Sequence, residues 1–363
     1  MSVFEAPDFA EHDIVQFCRD ARSDLSAIIA VHDRALGPGA GGCRMWPYPS
    51  GAAALRDVLR LSRGMSYKNA MAGLPLGGGK SVIIGDPATD KTPALFRALG
   101  RFIDGLGGAY IGAEDVGVTP EDMAQVASQT SYVAGLNKGA HASGDPSPLT
   151  AYGVFRGIEA AAAHRLGRND LEGLRVAVQG VGHVGYYLCQ KLAEAGAELV
   201  VADVDAAALA RVRDEFSAQL VAPQDILAAP VDVLAPCAMG AVLDEQTIAR
   251  LQAVIVSGSA NNQLAAPRHG AALRARGILY APDYVINAGG IINAADEMLG
   301  RSYDRGKVLV QVSAIYDTLR DVFERAEAEQ RPTNMVADAM ARQRLAEAQR
   351  RKYGTPARFP KVA

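Results

Sequence analysis

The sequence predicts an α/β protein of two domains, and three observations predict it. At 363 residues the chain is longer than one hydrophobic core usually serves. Short β-branched runs alternate along it with segments of helical period, the pattern of sheets covered by helices. The alternation comes in two series, separated by Ser143-Gly144-Asp145-Pro146-Ser147-Pro148, whose composition suits a turn or hinge between domains.

In the first series, Ile28 to Val31 reads as a strand, Ala53 to Met71 as a helix, Ser81 to Ile84 as a strand, Pro93 to Leu106 as a helix, and Tyr110-Ile111 as a strand. Thr119-Pro120-Glu121-Asp122 has the N-cap, N1 proline and first-turn acids of a helix start. After the hinge, Leu149 to Leu166 has helical period and suits a bridge between lobes. Strand-like runs follow at Arg175 to Gln179, Leu199 to Ala202, Val231 to Leu234, Val254 to Val256 and Ile278 to Tyr280, which together predict a doubly wound parallel sheet. The tail from Val308 to Arg351, broken at Arg331-Pro332-Thr333, predicts two helices, the second returning to the first lobe.

Composition narrows the function. With 49% hydrophobic residues, 21% charged and a net charge of -3, the chain suits neither disorder nor nucleic-acid binding by bulk charge. No apolar run approaches the roughly 18 residues that cross a bilayer, and the acidic N-terminus is unlike a secretion signal. Cys18, Cys43, Cys189 and Cys237 form no CxxC pair, and six scattered histidines offer no zinc spacing. No metal is expected, and a reducing cytoplasm is.

The sharpest local signal is Val176-Ala177-Val178-Gln179-Gly180-Val181-Gly182-His183-Val184-Gly185, an apolar strand running into GxGxxG and then a helix. Gly180 allows the tight turn, Gly182 lets backbone approach a pyrophosphate, Gly185 allows close helix packing, and the helix N-terminus binds the anion. A second apolar strand ends in Asp203, where a carboxylate meets ribose hydroxyls. The nearest following cation is Arg211, so no 2′-phosphate partner stands at that strand end and the cofactor is read as NAD. The bland alternative is a glycine turn that merely packs.

A second glycine cluster, Leu76-Gly77-Gly78-Gly79-Lys80-Ser81, lacks the first glycine of a phosphate loop, since position 74 is Leu74. It reads as Lys80 held on a glycine turn. Lys68 lies twelve residues earlier in an otherwise apolar, glycine-dense stretch. Beyond the Tyr110 strand, Asp115 stands where α/β sheets carry ligands and has no capping role to explain it. Neighbouring lysines loosen a proton by repulsion and burial, and an aspartate beside them can shuttle it.

Taken together, Gly41-Gly42-Cys43-Arg44-Met45-Trp46-Pro47-Tyr48, Met65 to Lys80, Ala113-Glu114-Asp115-Val116-Gly117, Gly144 to Val154, Ala235 to Gly240, Ser259-Ala260-Asn261-Asn262 and Tyr284 to Gly290 resemble the glutamate/leucine/phenylalanine/valine dehydrogenase superfamily, most closely its leucine dehydrogenase branch. The resemblance implies an N-terminal α/β substrate-binding and oligomerisation domain, residues 1–135 joined by a C-terminal helix within 331–363. It implies a Rossmann-type doubly wound NAD-binding domain over 136–330. Lys68 would grip the substrate carboxylate beside Gly41 and Gly42, Lys80 would be the general base, Asp115 would exchange protons, and Asn262 would orient the substrate. Thr150 would lie near the nicotinamide, and Gly180, Val181, Gly182, His183, Val184, Gly185, Asp203, Cys237, Ala238 and Asn261 would hold NAD. Family members of this kind are homo-oligomers, here a dimer or octamer.

The implied reaction is reversible oxidative deamination of an apolar L-amino acid to its 2-oxo acid and ammonia, with leucine or another branched-chain substrate first. Glutamate-specific relatives carry a lysine at the position of Ala40, absent here. Ala40, Ala113, Ile291 and Ala294 would wall a pocket wider than a standard leucine pocket, which keeps phenylalanine or another large aromatic substrate as an alternative. Two further readings are a catalytically silent NAD-binding protein and a hydroxy-acid dehydrogenase using His141 or His183 as base.

Overall fold

The computed structural model describes residues 2–136 and 144–354; His141 and residues 355–363 lie outside the described residues. The chain forms two compact units, Met1–Gly144 with Ala294–Tyr303 and Met340–Ala363, and Asp145–Asn293 with Asp304–Ala339. The division falls at Gly144 instead of 135, and the first unit also takes Ala294–Tyr303. Among the described residues no helix is long and apolar enough to cross a membrane.

The first unit contains β1 (Ile14–Asp20), β2 (Leu25–Asp33), β3 (Gly39–Trp46), α1 (Gly51–Met71), β4 (Gly77–Ile84), α2 (Pro93–Asp104), β5 (Tyr110–Glu114) and α3 (Pro120–Ala127). Its sheet has the order β1-β2-β4-β3-β5. β1, β2 and β4 pair antiparallel, and β3 lies parallel to both β4 and β5. Strand alternation sends Ile28, Ala30 and Val82 to one face, against Ala54, Val58 and Leu59 of α1. The other face buries Ile29, Val31, Cys43, Met45 and Ile83 with Phe96 and Leu99 of α2 and Met123 of α3. Ser50 and Thr92 cap α1 and α2, and Thr119 with Asp122 forms a capping box on α3.

Two expectations need correction here. Gly77 to Lys80 is not a turn but the first half of β4. Glycine is required because a Cβ at Gly78 would occupy the space of the Ser66 amide and Oγ and the Ser62 carbonyl, so the backbone of α1 rests directly on the strand. The strand β3 has no counterpart in the sequence reading, because Gly39, Gly41 and Gly42 lower its intrinsic propensity; pairing on both sides, with β4 and β5, holds it extended.

The second unit begins with α4 (Ser147–Leu166), which belongs to that unit. Then come β6 (Arg175–Gln179), α5 (His183–Glu194), β7 (Glu198–Ala202), α6 (Ala206–Phe216), β8 (Gln219–Leu220), β9 (Val233–Pro236), α7 (Glu245–Arg250), β10 (Ile255–Val256), α8 (His269–Ala275), β11 (Leu279–Tyr280), α9 (Asp283–Ile286) and α10 (Gly289–Met298), of which the part from Ala294 on belongs to the first unit. All its strands are parallel, in the order β11-β10-β9-β6-β7-β8, the doubly wound arrangement with its switch point between β6 and β9. The tail forms three helices where two were expected, α11 (Arg305–Ser313), α12 (Ile315–Ala328) and α13 (Thr333–Tyr353).

A buried polar network ties β2 to α1. His32 Nδ1 lies 2.8 Å from Ser66 Oγ. His12 Nε2 donates to the Leu59 carbonyl at 3.0 Å, and its ring meets that of His32 edge-on at 5.0 Å. Burial first, then His12 and Arg63, push His32 down to about 3, and burial lowers His12 as well. Both are neutral when folded and take protons when unfolded below about pH 6.5. The unfolded chain then binds more protons, so stability is full above that pH and is lost as pH falls toward 3. His32→Gln should flatten this acid loss, read from urea midpoints at pH 7 and 4.5; an unchanged difference between the two would assign the loss to other groups.

Candidate functional site

In the first unit the polar groups gather on the α1 face of β3 and β4. Lys80, on β4, is buried and its Nζ donates to Asp115 Oδ2. Asp115 follows β5 directly, in a turn pinned to β3 by the Met45 amide, which donates to the Val116 carbonyl at 3.0 Å. Gly42 leaves the space in which the pair meets, since a Cβ there would stand 2.7 Å from Asp115 Cβ and 3.2 Å from Lys80 Nζ. Tyr110 Oη donates to the Gly41 carbonyl at 2.9 Å and so fixes the adjoining backbone.

A second cation reaches the same oxygen. Arg44, two residues along β3 from Gly42, donates from Nε to Asp115 Oδ2 at 3.2 Å and from Nη1 to Asp57 Oδ2 at 3.1 Å. Tyr48 Oη donates to that Asp57 oxygen at 2.6 Å. Burial pushes the Asp115 carboxyl up, but Lys80 and Arg44 outweigh it and hold the group below the ordinary carboxylate range. Asp115 is thus ionised at neutral pH, a proton acceptor beside a lysine.

Lys68 occupies the last turn of α1. That turn is fixed on β4 by the Ser66 contact with Gly78 and by Asn69 Nδ2, which donates to the Gly77 carbonyl at 2.6 Å. Met65, one helical turn before Lys68, stands 3.1 Å from the Cβ position of Gly41, so this face of α1 is turned toward the glycine strand. Ala40 has no exposed surface, whereas Ala113 and Ala294 are half-buried.

In the second unit the expected cofactor residues converge at the carboxyl end of the parallel sheet. Gly180 has a φ of +93°, and a Cβ there would lie 2.7 Å from Ala238 Cβ; a Cβ at Gly185 would strike the Gly180 carbonyl. Around Gly182 nothing lies within 4 Å of the Cβ position, and it precedes α5 with no side-chain cap. Exposed amides at a helix start with open space beside them fit a pyrophosphate. His183 is exposed and Val184 half-buried on the first turn of α5. Asp203 Oδ2 accepts from the Val181 amide at 2.7 Å, which locks the turn to the end of β7. The Cys237 amide donates to the Gln179 carbonyl at 2.7 Å, and the Ala241 amide to the Asn262 carbonyl at 2.6 Å. Asn261 Oδ1 accepts from Asn287 Nδ2 at 2.7 Å, and Thr150 Oγ1, on α4, donates to the Pro146 carbonyl at 3.0 Å. Arg211 is engaged elsewhere, 3.1 Å from Glu215 and stacked 3.7 Å over the Tyr186 ring. Its guanidinium is thus paired within α6, in keeping with NAD.

Lys68, Lys80, Asp115, Gly41, Gly42, Ala40, Ala113 and Ala294 therefore fall in the first unit, and Asn262, Thr150, Ile291 and the glycine motif in the second. Sequence reasoning misses Arg44, Asp57, Tyr48 and Tyr110. For Arg44 a signal exists, since residues two apart on a strand share a face; it is unusable until β3 is known to be a strand. Among the described residues, no group of three or more His, Cys, Asp or Glu side chains is placed to hold a metal ion.

Comparison with known proteins agrees with both halves. The family model described as Glu/Leu/Phe/Val dehydrogenase, dimerisation domain, matches residues 13–132. That of glutamate/leucine/phenylalanine/valine dehydrogenase matches residues 143–210 and 203–352. Leucine dehydrogenase of Geobacillus stearothermophilus is 52% identical over 95% of this chain and 94% of its own length. L-tryptophan dehydrogenase of Nostoc punctiforme is 46% identical over 97% of this chain and 98% of its own. A crystal structure of L-tryptophan dehydrogenase from Nostoc punctiforme matches with a TM-score of 0.83 at 45% identity, covering 94% of this chain and 97% of that one. Phenylalanine dehydrogenase of Caldalkalibacillus thermarum is 43% identical over 95% of this chain and 94% of its own.

Since the Gly180 carbonyl fills the place of a Cβ at Gly185, Gly185→Ala should open the turn and weaken dinucleotide binding roughly tenfold or more, the effect of displacing well-placed backbone donors. Fluorescence titration with NADH measures it; wild-type affinity in the variant would show that the turn does not form the site.

Proposed function

We propose that this chain, which belongs to the glutamate/leucine/phenylalanine/valine dehydrogenase family, catalyses the NAD-dependent, reversible oxidative deamination of apolar L-amino acids, leucine first, to 2-oxo acids and ammonia. The observation that carries the reading is the buried Lys80 paired with Asp115 in the space cleared by Gly42. Lys68 clamps the α-carboxylate beside Gly41 and Gly42. Lys80, once its proton has passed through Asp115 to solvent, takes one from the substrate amine and, after that proton has left by the same route, takes another from the water that attacks the imine carbon. Asn262 orients the substrate. NAD, when bound by the glycine turn, Asp203, Thr150, Cys237, Ala238 and Asn261, supplies the hydride acceptor. A silent NAD-binding protein would have no use for a buried lysine–aspartate pair.

Apolar specificity is supported by what surrounds the pair. No cation stands at Ala40, and a glutamate side chain would be buried without a partner, at a cost of several kcal/mol. Ala40 is enclosed, so this reading assigns the side-chain wall to the half-buried Ala113 and Ala294 and to Ile291, where each missing methylene contact shifts preference by only ~1–3 kcal/mol. The second reading, an aromatic substrate, is favoured by the small side chains at Ala113 and Ala294 and by the similarity to the tryptophan and phenylalanine enzymes. We further infer a cytoplasmic homo-oligomer, dimer or octamer, supported by four free thiols and by the description of the matched N-terminal model.

NADH production across leucine, valine, isoleucine, phenylalanine, tryptophan and glutamate tests the assignment, with leucine expected fastest and glutamate inert. Lys80→Ala should lower kcat by roughly a hundredfold or more, while Lys68→Ala should mainly raise KM. Near wild-type kcat in Lys80→Ala would remove the lysine from the mechanism.

The wall offers a separate test. Ala113 is half-buried while Ala40 is enclosed, so Ala113→Leu should suppress phenylalanine turnover relative to leucine with little repacking. An unchanged ratio would place the side-chain pocket elsewhere.

A further inference from the structure

The Lys80–Asp115 pair is held by a third group that also engages a second carboxylate. Arg44 spans two carboxylates, Asp115 through Nε and Asp57 through Nη1, and Asp57 takes a further hydrogen bond from Tyr48. Each carboxylate thus presents one oxygen to two donors, Asp115 to Lys80 and Arg44, and Asp57 to Arg44 and Tyr48. On its outer side Arg44 borders a cavity of about 610 Å³, shared with Asp57, Tyr48, Arg56 and Arg60. A guanidinium at the edge of an open cavity holds a fixed fork only where a second partner anchors it. Asp57, a residue of α1 steadied by Tyr48, provides one.

Resting on the deamination reading for Lys80 and Asp115, we propose that Arg44 is a positioning residue that holds the Asp115 carboxylate against Lys80 and, through its anchor Asp57, sets the pH at which that pair works. The charges that face the pair come from every element around it. Lys80 lies on β4, Arg44 on β3, Asp57, Arg56 and Arg60 on α1, and the weakly acidic Tyr110, Cys43 and Tyr48 stand beside them, with Asp122 on α3 also acting on Cys43. Of these, Arg44 is the group that bridges Asp115 to a second carboxylate. A cation opposes proton uptake by its neighbours and an anion favours it, so the two ends of the fork should act with opposite sign.

Steady-state kcat/KM for leucine against pH, on the full-length enzyme, separates these effects. Arg44→Gln should move the acid limb up by about one pH unit and lower kcat roughly tenfold or more through misplacement of Asp115. Arg44→Lys keeps the charge but loses the fork, so kcat should fall while the limb stays. Asp57→Asn removes an anion and should move the limb down. NADH affinity and thermal midpoint check that each variant is folded, and Asp57→Asn carries the test if Arg44→Gln is not. An infrared titration of the carboxylate band, taken as the difference from an Asp115→Asn counterpart, reads the Asp115 proton without turnover and should show its midpoint raised in Arg44→Gln. Limbs and midpoints that stay at wild-type values, or that move the same way in Arg44→Gln and Asp57→Asn, would overturn the proposal. A wild type that reduces NAD with no amino acid would instead overturn the deamination reading, and the infrared shift would still judge Arg44.

Discussion

The contact between the backbone of α1 and the backbone of β4 at Gly78 governs the first unit. With the Ser66 amide and the Ser62 carbonyl occupying the space of a Cβ, helix and strand approach as closely as chain geometry allows. That closeness sets where Lys68 leaves the helix and where Lys80 leaves the strand. It also encloses the His12–His32–Ser66 network, whose members would be costly to bury unpaired. The polar chemistry of this unit is therefore carried on a frame from which side chains have been removed.

The second unit uses the same device for a different end. There the glycines of the β6–α5 turn bring backbone amides to an open surface, and the loop after β9 packs on Gly180 and bonds to the end of β6 and to the loop after β10 through main-chain hydrogen bonds. Backbone donors are rigid and carry no rotamer entropy, so an anion site made from them is organised before the ligand arrives. Rigid amides are exposed at a helix start in one unit, and charged side chains are paired on rigid glycine strands in the other.

Much of this is legible in the sequence. The β6 to β7 run with its glycines reads correctly because apolar alternation and turn chemistry agree there, and Asp203 can be placed by counting. The α1 and α4 helices follow from period alone. The glycine strand β3 does not, since its residues favour turns and only pairing on both flanks keeps it extended. Arg44 stands within a recognisable motif but shows no role there, because its partners Asp57 and Asp115 are 13 and 71 positions away and are brought to it by tertiary pairing. Gly77 to Lys80 misleads for the same reason, as a run of glycines announces a turn unless one knows what lies on top of it.

Asp203 bears on how readily the enzyme's coenzyme preference could change. Its carboxylate stands just past the end of β7, where one oxygen accepts from the Val181 amide and the other from the Asp205 amide. An exchange for a neutral or basic residue would loosen the glycine turn in the same step that it removed the negative charge. The nearest cation, Arg211, is meanwhile held by Glu215 and the Tyr186 ring and would have to be released before it could greet a phosphate. Selectivity between the two coenzymes is thus mortgaged to local structure, and a switch would take several coordinated replacements where the binding pocket alone suggests one.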